Sequence, residues 1–130
     1  MKDLLTLNNA IKFFACMDIF LGSILVSPIA GWIVEFMHSM VSHEIHPIDE
    51  YHMFLMKLLG ITVILWGLIR VNHLEKYHAK YDCIARCFVL VLMAYYCFHG
   101  LTFMFFFLAA ESFGLLQWVF YVRETKKENV

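Results

Sequence analysis

Four stretches of the chain are apolar for long enough to be read as membrane spans. They run from about Phe13 to Met37, Met53 to Val71, Tyr81 to Phe98 and Leu101 to Val122, and about 20 mostly apolar residues suffice for a helix to cross the hydrocarbon core. None shows the strict alternation of a barrel strand. Lipid offers no partner to open backbone groups, so each stretch is predicted to be a helix. The third and fourth stretches are separated by little more than His99 and Gly100, which makes them antiparallel neighbours. The longest polar interval is an outer loop, 38–52, where Asp49 is placed to cap the second helix and Glu50 falls in its first turn. The pattern predicts an all-α integral membrane four-helix bundle, built as one transmembrane domain over residues 1–130.

The first stretch has some features of a secretory signal, with Lys2 and Lys12 ahead of the apolar run and Ser27-Pro28-Ile29-Ala30-Gly31 near its end. However, the run continues through Trp32, Ile33 and Val34, and Asp18 interrupts the supposed signal core. A retained helix bent at Pro28 is expected instead.

Composition reinforces the membrane reading. The chain is 62% hydrophobic and only 16% charged, against roughly 45–50% apolar in soluble domains. The net charge of −1 matters less than its distribution. Four crossings place Lys2, Lys12, Arg70, Lys76, Lys80, Arg86, Arg123, Lys126 and Lys127 on one side, and only Lys57 on the other, beside Glu35, Glu44, Asp49 and Glu50. The positive-inside rule therefore puts both termini in the cytoplasm. Trp32, Tyr51, Trp118 and Tyr121 fall near the predicted interfaces, where amphipathic rings are favoured. The same topology accounts for the spread of basic residues, which sets nucleic-acid binding aside. A prokaryotic plasma membrane is expected, an organellar one being the alternative. Cys16, Cys83, Cys87 and Cys97 lie within or beside apolar stretches without a CxxC pair, a pattern of packing residues rather than a disulfide framework or zinc ribbon.

Charged groups within the spans are costly, about 2.5–3.5 kcal/mol each near the bilayer centre on insertion scales, so they face other helices or water. Glu111 is the deepest and is the candidate catalytic residue, as proton carrier, substrate ligand or catalytic acid. The alternative is a carboxyl that only fixes helix packing. Asp18 and Arg86 match in depth and oppose in sign, which predicts an inter-helix ion pair, and Glu35 with Lys57 makes a similar pair at the outer end. A faint echo relates Met17-Asp18-Ile19-Phe20-Leu21-Gly22 to Ala110-Glu111-Ser112-Phe113-Gly114, each an acid ahead of an aromatic residue and a glycine.

Seven histidines are many for so small a chain. His38, His43, His46 and His52 cluster in the outer loop with Glu44, Asp49 and Glu50 interleaved, a mixture of imidazole and carboxylate that suits a transition metal. His99 lies on the same side and is a candidate cofactor ligand: paired with His38 or His52 it would supply axial imidazoles to a haem at the outer face. A solvated polar loop explains the same residues without metal. His73 and His78 read as interfacial residues of the inner loop.

The layout resembles small four-helix membrane proteins of the DoxX-like kind. The residues that carry the resemblance are Phe14-Ala15-Cys16-Met17-Asp18-Ile19-Phe20-Leu21-Gly22 in the first helix and Leu59-Gly60-Ile61-Thr62-Val63-Ile64-Leu65-Trp66-Gly67-Leu68 in the second. Ala110-Glu111 and Phe120-Tyr121-Val122-Arg123 in the fourth complete it. The resemblance implies a four-helix bundle of the sort that accompanies membrane oxidoreductases, and it supplies no catalytic residues.

The chain has no phosphate loop, nucleophile motif or dinucleotide-binding signature. The expectation is therefore an accessory subunit of a larger membrane complex, such as a redox or oxidase assembly, with the bilayer and other membrane subunits as partners. Two alternatives stay open. One is a membrane-embedded enzyme or transporter for a lipid or quinone-like molecule, using Glu111 with Asp18, Tyr95, Tyr96 and His99 around it. The other is a metal-binding protein using the outer loop.

Overall fold

A computed structural model describes residues 6–41, 49–99 and 104–128. All the regular structure it describes is α-helical: α1 (Leu7–Val26), α2 (Ala30–Val41), α3 (Glu50–Asn72), α4 (Lys76–Phe98), α5 (Met104–Gly114) and α6 (Gln117–Glu128). Among the described residues three segments are long and apolar enough to cross a membrane, Leu7–Val26, Met53–Asn72 and Phe105–Lys127; the expected third span, Tyr81–Phe98 in α4, is not one of them.

Two of the expected helices are each divided in two. The first, expected over 13–37 with a bend, stops at Val26 and resumes at Ala30. Ser27 precedes Pro28 and takes an extended conformation, φ −64° and ψ 157°, because the proline ring disfavours helical dihedrals in the residue before it. Its hydroxyl donates to the Ile24 carbonyl at 2.6 Å and so satisfies an acceptor at the helix end. The last helix, expected over 101–122, is interrupted at Leu115 and Leu116. There the amide of Leu115 bonds the Ser112 carbonyl and that of Leu116 bonds the Phe113 carbonyl, at 3.2 and 3.1 Å, the tighter i→i+3 pattern of a 3₁₀ turn. The other two helices begin a few residues earlier than expected, α3 with Glu50 in its first turn and α4 at Lys76. At its own start, α1 is capped by the Thr6 hydroxyl, which accepts from the Asn9 amide at 3.3 Å.

α1 and α3 form the closest pair, and they run antiparallel. Gly22 faces Gly60, and Ala15 faces Gly67. A methyl group built at Gly22 would lie 2.7 Å from the Gly60 carbonyl oxygen, and one at Gly67 would lie 2.8 Å from the Ala15 carbonyl oxygen and 2.6 Å from Ile19 Cγ1. Small residues that let backbones approach this closely are the usual seam between helices in lipid, where burying apolar surface supplies no net drive.

α4 packs on α5 and α6, and α1 touches both α4 and α6, which joins the two helix pairs. The sequence expectation that the third and fourth helices are neighbours agrees with the α4–α5 packing. At the end of the bundle that holds the start of α1 and the turn between α3 and α4, Leu7, Ile11 and Ala79 form a buried core, with Leu74, Phe120 and Tyr121 packed against it. At the opposite end the helices present broad apolar surfaces. Trp32, Phe36, Phe54, Phe88, Val91, Phe98 and Phe105 are all more than half exposed.

Candidate functional site

A knot of charge lies between the helices of the bundle. Asp18 on α1, Arg70 on α3, Asp82 and Arg86 on α4 and Gln117 on α6 are all buried, and Glu111 on α5 closes one side with a quarter of its side chain exposed. Five of the six helices among the described residues contribute.

Helix geometry brings the first pair together. The Cα–Cβ bond tilts toward the N-terminus of its own helix, so side chains on antiparallel helices converge from opposite directions. Asp18 leans down α1 and Arg70 leans up α3, and the Arg70 guanidinium donates to Asp18 Oδ2 through Nη2. Its Nη1 lies 3.2 Å from Asp82 Oδ2, and its guanidinium carbon stands 5.5 Å from the centre of the Trp66 ring, one turn earlier on the same helix.

Arg86 is the hub. Its Nε donates to Asp82 Oδ2 at 2.8 Å, one turn back on α4. Its Nη1 donates to Glu111 Oε2 at 2.5 Å, and its Nη2 donates to both oxygens of Asp18, at 2.9 and 2.7 Å. All three guanidinium nitrogens are thus engaged with carboxylates from three helices, which matches the planar fork of arginine.

Asp82 is the second hub. Besides the two arginines, it accepts from Trp66 Nε1 at 2.8 Å through Oδ1 and from Gln117 Nε2 at 2.7 Å through Oδ2. The Gln117 amide also donates to the Gly114 carbonyl at 3.2 Å. The break between α5 and α6 belongs to this arrangement. The Arg86 guanidinium lies against Gly114, so a methyl group there would sit 2.6–2.7 Å from Nη1, Cζ and Nε.

The ionisable groups comprise two guanidinium cations and three carboxylates. Each acid has an arginine partner, the condition under which charges are tolerated in a low-dielectric interior. Arg70 Nε and Gln117 Oε1 are buried and make no hydrogen bond among the described residues. What this arrangement does chemically is bind helices to one another.

The residues singled out from sequence fare differently. Asp18 and Arg86 meet, and Glu111 joins them on the same arginine. Glu35 and Lys57 are both exposed, and no ion pair joins them. His38 is buried on α2. His99 is exposed at the end of α4, stacked on Tyr95 at 4.1 Å between ring centres, with Nδ1 2.8 Å from the Tyr95 carbonyl. His43 and His46 lie outside the described residues, as does the side chain of His52. Among the described residues no group of three His, Cys, Asp or Glu is placed to hold a metal ion. Cys83 is buried, Cys97 is half-buried, and Cys16 and Cys87 are exposed; all four thiols are free.

Arg70, Asp82, Trp66 and Gln117 were not anticipated as a site. Arg70 passes for one more flanking cation. A signal was nevertheless present: Asp82 and Arg86 stand four apart on one helix face, as do Trp66 and Arg70. No family model, curated protein or solved structure matches the chain.

Proposed function

We propose that this chain is a four-span membrane protein with both ends on the cation-rich, cytoplasmic side, and that it serves as an accessory subunit of a larger membrane assembly. The observation that carries this reading is the charge knot. Asp18, Asp82 and Glu111 are each held by an arginine, so the acids inside the helices act as glue between them rather than facing a substrate cavity. The half-exposed aromatic and aliphatic faces of α2, of α3 and of the later turns of α4 give such a subunit surface for lateral packing against other chains.

The test is purification of the tagged chain from its native membrane in mild detergent. Other chains recovered in fixed ratio are expected. A single chain eluting alone at monomer size would overturn the subunit reading, and terminal tags accessible from opposite faces would overturn the topology.

A second reading keeps Glu111 as a working acid of an enzyme or transporter. One observation favours it. Its side chain is 26% exposed, against 5–7% for the two aspartates, and it rests on one guanidinium nitrogen only. A Glu111→Gln change that leaves cellular function and assembly intact removes this reading.

A further inference from the structure

Outside the charge knot, an open groove of about 390 Å³ runs between α1 and the α5–α6 break. Its volume falls within the roughly 300–1,000 Å³ of ligand sites in general. Phe13, Phe113, Leu116 and Phe120 wall it, buried Ala10 lies at its base, and Thr6 and Asn9 line it at the start of α1. The Phe113 ring meets Phe13 edge-on at 6.5 Å, so the aromatic wall is preformed. Both bounding segments are among the three able to cross a membrane, and Phe13, Phe113 and Leu116 are about half exposed, so the groove opens outward.

The α6 face that forms one wall does not stay apolar. Phe120, Arg123 and Lys127 follow at intervals of three and four, one stripe of the helix. Arg123 is exposed, and Lys127 is 62% exposed, with Glu124 3.1 Å from its ammonium. The apolar groove is therefore continued, along one helix face, by two cations at the C-terminal end of the Phe105–Lys127 segment. A molecule that matches both parts has a hydrocarbon tail and an anionic head. Basic residues next to a membrane attract anionic lipids by about 1 kcal/mol each.

We propose that the groove is a binding site for an anionic phospholipid, with one acyl chain between α1 and the α5–α6 break and its phosphate at Arg123 and Lys127. The site rests on the membrane reading and is independent of the subunit role. A chain that purified alone would still carry the lipid, and a chain with partners could lack it.

The test is native mass spectrometry of the delipidated, refilled protein in nanodiscs of equal phosphatidylglycerol and phosphatidylcholine. Wild type is expected to retain a phosphatidylglycerol in preference to phosphatidylcholine, and Arg123→Gln/Lys127→Gln is expected to lower that preference about thirtyfold. Ala10→Phe, which fills the groove, is expected to abolish retention. The double variant alters exposed positions only, so it decides the matter even if Ala10→Phe fails to fold. Equal retention of both lipids, unchanged preference in the double variant, or displacement by excess inorganic phosphate alone would each overturn the proposal.

Discussion

The molecule joins its helices in two unlike ways. Along α1 and α3 the contact is made by absence: Gly22, Gly60 and Gly67 bring backbone against backbone with no room for a methyl group. Where α4, α5 and α6 join them, contact is made by five ionisable side chains, three acids and two arginines, crossing between helices. On the proposed membrane reading neither region relies on removing apolar surface from water, because the competing solvent for both is then lipid. The glycine seam fixes a distance, since dispersion falls off steeply with separation. The charge knot fixes identity and depth, since a carboxylate in lipid tolerates few positions other than beside its guanidinium. One region should therefore respond to volume and the other to charge.

The largest expected effect lies at the hub of the knot. Arg86→Met keeps much of the side-chain volume but leaves Asp18 and Asp82 sharing Arg70 and Glu111 with no arginine beside it. Removing one partner of a buried pair costs about 3–5 kcal/mol, so this variant should unfold at markedly lower denaturant in detergent micelles. A loss below about 1 kcal/mol would mean that the acids are neutral without the arginine, and the contrast between the two regions would disappear.

Gly67→Ala probes the seam with one methyl group and no change of charge. The Ile19 side chain can yield to the added methyl, but the Ala15 carbonyl oxygen, 2.8 Å from it, belongs to the backbone of α1. Overpacking of this kind costs about 1–3 kcal/mol. The same measurement should detect it, with a loss independent of salt and pH. A neutral result would show that α1 and α3 stand further apart than the seam requires.

A double-mutant cycle separates the two logics more sharply. Arg70→Met and Asp18→Leu should each destabilise alone, and the pair together should lose less than the sum. The coupling expected for contacting charges is about 0.5–3 kcal/mol. Unfolding of the four proteins of the cycle gives the coupling directly, and strict additivity would mean that the Arg70–Asp18 contact contributes nothing. The matching cycle at the seam, Gly22→Ala with Gly67→Ala, should be near additive, because the two sites are two helical turns apart.

Much of this contrast can be read in the sequence, and the unread part has a physical cause. Apolar runs announce helices because period and length are local properties, and Pro28 announces an interruption. The sequence could not show that the interruption is complete, since that depends on Ser27 taking an extended conformation. The pairing of Asp18 with Arg86 follows from depth and sign alone, and the echo between Asp18–Gly22 and Glu111–Gly114 has a counterpart in the fold, because both acids rest on Arg86. Arg70 was illegible because a cation near a helix end normally lies at the interface. Only the antiparallel partner, and the lean of its side chain toward Trp66, turn it inward. Asp82 and Gln117 escaped for a related reason. Their role exists only once α4 and α6 are side by side, with Gln117 just past the α5–α6 break and Arg86 lying against Gly114.

The smallest expected effect is the most informative about function. Glu111 sits at the rim of the knot, its one contact made through Arg86 Nη1. Glu111→Gln keeps an acceptor for that nitrogen and removes the third negative charge, leaving two carboxylates facing two guanidinium groups. Stability should therefore change by only about 0.5–1.5 kcal/mol, the net worth of a single hydrogen bond. The structural and working roles of this carboxyl then separate cleanly. Glue that has lost one charge still holds α5 to α4, so folding and assembly survive. A proton carrier or catalytic acid that has lost its titratable group does not work, however well the helix is held. Measuring unfolding and cellular function on the same variant distinguishes the two, and a large loss of stability would instead move Glu111 from the rim of the knot into its centre.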